Sequence, residues 1–216
     1  MQITCRSGFT KRGDRRRLVL LRERQIPEPN GALMSDRTER TSWLERVSAG
    51  ITTRLATMCL EDPVERVALI YDFSGADGPV LPMVAVAPAS WLAMVTSRSP
   101  ADLADTWRCG ELPLQLSVHA ALDEDEGLVE VGWEVFEPND ADLREEAIRS
   151  LMIDLARRLN QMSWPGVVRA PGSFVYAAVI GEDDLVPNLR AILGESFARA
   201  LIERWGLEGH RPRLEP

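Results

Sequence analysis

A chain of 216 residues with 45% hydrophobic and 27% charged residues has the composition of an ordinary soluble globular domain, long enough for one substantial core. No apolar run approaches the roughly 18 residues that span a bilayer, so the sequence excludes a transmembrane helix. The three cysteines, Cys5, Cys59 and Cys109, are too few and too scattered for a disulfide framework or a zinc site with paired ligands. These features predict a protein of a reducing cytoplasm.

The charge is divided unevenly along the chain. Residues 1–33 hold eight Lys or Arg against three acids, a net charge of +5, whereas the remainder carries a net charge of −13. The basic segment has no periodic apolar pattern and ends in a Pro- and Gly-rich stretch, so we expect a disordered arm. Three interpretations of the arm stay open: a tail for nucleic acid or acidic lipid, a strap against the acidic body, or an upstream extension of a reading frame that truly starts at Met34. We favour the third.

The first predicted element is a helix that opens at Ser42, which forms a capping box with Glu45, and ends near Pro63. Two runs rich in β-forming residues follow, Val64 to Phe73 and Val80 to Ala87, and their Gly- and Pro-containing connection predicts a hairpin. The connection lacks the spacing of oxygen ligands that calcium needs, so we expect no metal there.

A second, longer hairpin is predicted between residues 112 and 137. The pattern of residues 88–98, which precede this hairpin, is ambiguous but is compatible with one turn of helix. Ser99 caps a short helix that ends near Trp107. Apolar residues then alternate from Leu112 to Leu122 and again from 129 to 136. This period of two is typical of strands that bury one face.

The last third of the chain predicts a helix, a strand and a helix. Asn139 or Asp140 caps a long helix whose apolar stripe ends near Met162. The continuous apolar run from Ser173 to Ile180 predicts a strand buried on both faces. A final helix begins at the acids of residues 182–184, has Pro187 in its first turn and ends at a glycine cap, Gly206. Its apolar stripe consists of Leu189, Ile192, Leu193, Phe197, Leu201 and Trp205.

These elements predict an α+β fold. It has a mainly antiparallel sheet of about five strands, made of two hairpins and one central strand, flanked by three main helices and one short helix. We expect a single domain over residues 40–207 and a frayed tail over 208–216.

The polar face of the second hairpin gathers the candidate catalytic residues. Burial of both apolar sets selects a register near 122 with 129 and 118 with 133. That register brings together a set of polar side chains, Gln115, Ser117, His119, Glu130 and Glu134. We favour a solvated sheet face, and the alternative is a proton-handling site in which His119 is the general acid or base, oriented by a glutamate that raises its pKa.

The tip of the same hairpin carries four consecutive acids, Asp123, Glu124, Asp125 and Glu126. Such tips are most often solvated loops. The alternative is a binding surface whose concentrated negative field attracts a basic partner.

Several catalytic and cofactor motifs are missing. The chain has no Gly-x-Ser-x-Gly nucleophile elbow and no Walker loop, since its single lysine is Lys11 in the arm. Its two histidines, His119 and His210, lie far apart in sequence, which disfavours a multi-histidine metal centre. We expect no metal and no cofactor.

In size, charge and element order, residues 40–207 resemble bacterial immunity proteins that neutralise a toxin and small acidic secretion chaperones, without a shared motif. The resemblance implies a non-catalytic cytoplasmic module that binds a basic or partly apolar protein through its acidic surface. Two alternatives remain: a small enzyme using His119, and a nucleic-acid binder using the basic arm, which the acidic body disfavours. A homo-oligomer is also compatible with the sequence.

Overall fold

The computed structural model describes residues 32–58, 60–71, 81–96, 107, 112, 114–117, 141–179 and 184–207. This part of the chain forms five helices and four strands. In order they are α1 (Ala32–Thr57), β1 (Val64–Tyr71), β2 (Met83–Pro88), α2 (Ala89–Val95), β3 (Leu114–Ser117), α3 (Ala141–Gln161), β4 (Arg169–Val179), α4 (Leu185–Leu193) and α5 (Glu195–Trp205). Among these helices, none has the length and apolar character needed to cross a membrane.

The described sheet is mixed, with the strand order β3-β2-β1-β4. Strand β2 pairs antiparallel with β1, as the first predicted hairpin requires, and also antiparallel with β3, a pairing that the sequence did not predict. Strand β4 runs parallel to β1. The prediction of a mainly antiparallel five-stranded sheet is therefore wrong. Two parallel strands must be joined by a crossover connection. The continuous apolar run of β4 indicates that the strand is buried, but it does not indicate whether the strand runs parallel or antiparallel to its neighbour.

Alternating side chains divide the sheet between two helical layers. On one face the valines of β2 and the odd-numbered residues of β4 from Val175 onward pack against α1 and α3. On the other face, the alanines of β2 and the even-numbered residues of β4 from Phe174 onward pack against α2, α4 and α5. Because both faces are covered, the predicted burial of β4 on both sides is confirmed.

Helix α1 begins at Ala32, well before the predicted capping box at Ser42. Residues 32–41 contain no glycine or proline, so nothing in their backbone chemistry stops the helix from extending backwards. This extension also has a partner, because the Arg40 guanidinium binds Asp154 at 2.6 Å and the Ser150 hydroxyl at 2.9 Å on α3. The capping-box prediction is therefore wrong.

The predicted final helix is two helices, because Gly194 interrupts it. Gly194 has φ 80° and ψ 156°, a backbone region that is essentially restricted to glycine. The chain turns there, so α4 and α5 pack as separate elements. The predicted cap at Gly206 is confirmed, with φ 63° and ψ 33° in the left-handed region.

The second hairpin is described only in part. Its first strand exists as β3, where Ser117 pairs with Met83 of β2 and Leu114 pairs with Val86. The predicted partner strand at 129–136 lies outside the described residues, so the register proposed for that hairpin stays a prediction.

Candidate functional site

The sheet face that packs against α4 and α5 combines small side chains with one buried charged side chain. Strand β1 places Arg66 on this face together with Ala68, and register pairs Arg66 with Ala87 of β2 and with Phe174 of β4. Alanines leave space above a sheet where larger side chains would fill it. The indole rings of Trp107 and Trp205 and the guanidinium of Arg66 occupy this space.

Two tryptophan rings enclose the guanidinium. The Cζ atom of Arg66 lies 4.1 Å from the centroid of Trp107 and 4.0 Å from that of Trp205, and the two centroids are 5.8 Å apart with ring planes at 78°. These distances make nearly a right angle at Cζ. The rings therefore form two walls of a corner around the cation, and we call Arg66, Trp107 and Trp205 the aromatic corner.

Further aromatic rings connect this corner to the surface. Trp107 stacks on Phe174 at 5.8 Å with an interplanar angle of 22°, and it contacts the tilted ring of Tyr176 at 5.2 Å. Phe174 then meets the edge of Phe197 at 6.0 Å. Phe197 is 45% exposed although the helical stripe predicts burial for it, so the series of rings ends at solvent.

Arg66 is 1% exposed, and few interactions among the described residues offset the cost of burying its charge. Neither of its terminal nitrogens, Nη1 and Nη2, has a hydrogen-bond partner among the described residues, and the same is true of the buried indole nitrogen of Trp107. Burial lowers the pKa of Arg66 to about 10, with Arg204 acting in the same direction and Tyr176 and Glu65 opposing. Desolvated cation–π contacts contribute about 2 kcal/mol each, but they leave the donors unsatisfied.

A second buried polar cluster lies at the carboxyl ends of β1 and β4. Tyr71 donates its hydroxyl to Asp184 at 2.8 Å, and the Asn188 amide lies 2.8 Å from the same carboxylate oxygen and 3.1 Å from the carbonyl oxygen of Ala177. The backbone N–H of Val179 donates to the other oxygen of Asp184 at 3.3 Å. Burial, followed by the charge of Asp184, raises the pKa of Tyr71 above its usual range.

This second cluster has a structural explanation. Asn160 of α3 bonds both backbone groups of Val175, so the side chains of Asn160, Asp184 and Asn188 together satisfy successive outward backbone groups of β4. Because β4 is the last strand of the described sheet on this side, these side chains occupy positions that another strand would take. We therefore assign the cluster to the edge of the sheet and not to a ligand.

The residues predicted from sequence are not brought together by the described structure. Ser117 lies at the end of β3. His119, Glu130, Glu134 and the acidic tip at residues 123–126 lie outside the described residues, so their roles stay predictions. Within the described part of the chain, no group of three or more His, Cys, Asp or Glu is arranged to hold a metal ion.

Sequence reasoning missed Arg66, although a signal for it exists. Arg66 has the same strand phase as Ala68 and Ile70, so the alternation of β1 places a charged side chain on a buried face. The alanines at 85 and 87 on the neighbouring strand indicate the room that a large side chain needs. Burial of Trp205 was predicted from the stripe of the final helix and is confirmed.

Comparison with known proteins yields no assignment. No protein-family model matches the chain, and no curated protein or solved structure is significantly similar to it. The chemistry of the aromatic corner is therefore the basis for a functional argument.

Proposed function

We propose that this protein is a non-catalytic cytoplasmic binding module, and that Arg66 holds a carboxylate group of its ligand. One observation carries the proposal: the two terminal nitrogens of Arg66 are buried and have no acceptor among the described residues. A charged group in that state is rare because desolvation is costly without a hydrogen-bonded counter-charge. A bound anion would supply both the counter-charge and the hydrogen-bond acceptors.

The donors of the aromatic corner match a carboxylate. The planar guanidinium presents two parallel N–H groups that fit the two carboxylate oxygens, and the unpaired indole N–H of Trp107 is a further donor beside them. A monoanion also balances the single charge of Arg66. A phosphate dianion would leave a buried negative charge, which favours the carboxylate in a low-dielectric site.

Binding fits this site better than catalysis because of the acid–base character of Arg66. A guanidinium with a pKa of about 10 stays protonated at neutral pH, so it orients an anion without exchanging a proton with it. Its described ring contacts, the two indoles, supply van der Waals and cation–π contact and no nucleophile. The corner therefore holds a ligand and does not transform it.

Thermal unfolding of the full chain tests the proposal, with sodium acetate as the probe and equal ionic strength maintained by chloride. We expect acetate to raise the Tm of the wild type and to have no effect on Arg66→Met. Arg169→Met is the matched control, because Arg169 also lies over an indole, 4.4 Å from Trp164, but its guanidinium is satisfied by Ser173. This control should keep the acetate response.

The stability of Arg66→Met without acetate provides the second readout. If the charge of Arg66 is unpaired in the free protein, losing the desolvation cost and losing the cation–π contacts largely cancel, and stability changes by about 1 kcal/mol or less. If an acid of the chain itself neutralises Arg66, the variant leaves that acid buried and unpaired and costs about 3 to 5 kcal/mol. The second result, or an acetate response that Arg66→Met retains, rejects the proposal.

The second candidate is a partner-binding protein that uses the acidic tip at residues 123–126. The uneven charge favours it, since the chain beyond residue 33 carries a net charge of −13. The partner would then be a basic or partly apolar protein. Replacing the four acids by Asn and Gln should abolish salt-sensitive retention of that partner, whereas deleting residues 1–33 should preserve it.

A further inference from the structure

We infer that helix α5 is a lid that opens and closes over Arg66, and that a bound carboxylate holds the lid closed; this inference rests on the proposed function. In the described conformation Arg66 is 1% exposed and both its terminal nitrogens are buried, so an anion from solvent cannot reach them. Part of the aromatic corner therefore has to move before a ligand enters. Helix α5 supplies one wall of that corner, the Trp205 ring, whose centroid lies 4.0 Å from the guanidinium carbon.

A glycine stands at each end of α5. Gly194 precedes the helix at φ 80° and ψ 156°, and Gly206 follows it in the left-handed region at φ 63°. Hinges consist of a few residues at the ends of elements that absorb a change in backbone angles, and glycine has the widest range of such angles. The chain on either side of α5 can therefore accommodate a rotation of this helix.

Helix α4, which precedes the hinge, is fixed by polar contacts with other elements. The Asn188 amide donates to the carbonyl oxygen of Ala177 on β4 at 3.1 Å. The Arg157 guanidinium of α3 donates twice to the carbonyl oxygen of Ala191, at 2.8 and 3.1 Å. These directional contacts hold α4 against both the sheet and α3, so α4 is the fixed side of the hinge.

Helix α5 is held in a different way. Among the described residues, its ion pairs stay within α4 and α5, since Glu195 pairs with Arg199 of the same helix and with Arg190 of α4. Apolar side chains hold α5 on the sheet, namely Ala198, Leu201, Ile202 and Trp205. Loss of these contacts as one unit is a local opening that leaves the contacts of α4 intact.

Closure of α5 has an electrostatic cost that an anion would offset. The closed helix keeps water from the Arg66 guanidinium and brings a second cation near the same ring, because the Cζ atom of Arg204 lies 5.5 Å from the Trp205 centroid. Burial and then Arg204 lower the pKa of Arg66, so both disfavour its charge in the closed form. A carboxylate on Arg66 would offset both effects, and by linkage it would bind the closed form more tightly than the open form.

Amide hydrogen exchange of the full chain, resolved by NMR, tests the lid with sodium acetate as the probe and chloride at equal ionic strength. Without acetate, we expect α5 amides to be protected about tenfold less than α4 amides, and to a similar extent along the whole helix, because α5 opens as one unit. Acetate at about ten times its dissociation constant should slow α5 exchange by up to about tenfold. Arg66→Met should lose this response, and the control Arg169→Met should keep it.

The outcomes separate the lid from the proposed function. Equal protection of α4 and α5 without acetate would overturn the lid. Fraying of α5 that increases toward Gly206 and does not respond to acetate would overturn it as well. In both cases, a rise in Tm with acetate that depends on Arg66 would leave the proposed function standing. If acetate changed neither the exchange of α5 nor the Tm of the wild type, both proposals would be rejected.

Discussion

Asn160 of α3 hydrogen-bonds both backbone groups of Val175 on β4: its amide donates to the carbonyl oxygen at 2.9 Å, and its side-chain oxygen accepts from the backbone N–H at 2.8 Å. One side chain thus satisfies a strand residue as a neighbouring strand would. Asn188 and Asp184 continue this pattern at Ala177 and Val179. An edge satisfied in this way is a poor template for strand addition, which protects the protein from edge-to-edge association.

Removing the amide of Asn160 should destabilise the fold and expose this edge. Asn160→Ala leaves both backbone groups of Val175 without their partner and should cost about 1 to 3 kcal/mol in the free energy of unfolding. Asn160→Asp should cost more, because its carboxylate can accept from the N–H but faces the carbonyl oxygen with a negative charge. Urea unfolding measures both costs, and light scattering measures association. A neutral effect of Asn160→Ala would contradict the role assigned to this side chain.

Tyr71 links the stability of the protein to alkaline pH. Its pKa is raised in the folded state by burial and by Asp184, so the folded state keeps the phenolic proton at a pH where the unfolded state has lost it. The stability contributed by Tyr71 is therefore complete below about pH 10, the usual tyrosine pKa, and decreases as the pH rises above it.

Tyr71→Phe should lose about 1.5 to 3 kcal/mol at pH 7, because the phenol donates to a buried carboxylate. Above about pH 10, stability should decrease less steeply in the variant than in the wild type, so the two curves converge. Urea unfolding from neutral pH to about pH 11 checks this. Parallel curves over the whole range would mean that the Tyr71 hydroxyl does not titrate differently in the folded protein.

Gly194 should be less replaceable than Gly206. A Cβ added at either position would meet no atom within 4 Å, so any cost of substitution comes from the backbone. Gly194→Ala forces an L-residue into φ 80° and ψ 156° and should cost about 1 to 3 kcal/mol. Gly206→Asn occupies the ordinary left-handed region and should cost less than about 1 kcal/mol. Thermal unfolding ranks the two variants, and equal costs would contradict this assignment.

The sequence determines by itself those features that depend on neighbours along the chain. Runs of β-forming residues joined by a Gly- and Pro-containing connection identify β1 and β2 as a hairpin, the helical stripe identifies α3, and the continuous apolar run identifies β4 as a doubly covered strand. The cap at Gly206 is equally local, since a helix ends where the backbone adopts a left-handed conformation. Each of these signals is a repeat or a residue preference within a few positions.

Tertiary structure decides which of these elements meet. The parallel pairing of β4 with β1 depends on a crossover and brings Phe174 beside Arg66, residues more than a hundred positions apart. Helix α1 extends back to Ala32, and its Arg40 reaches Asp154 on α3, a contact that no local pattern reports. The aromatic corner arises in the same way, since Arg66, Trp107 and Trp205 come from three distant segments and only packing places one cation between two indoles.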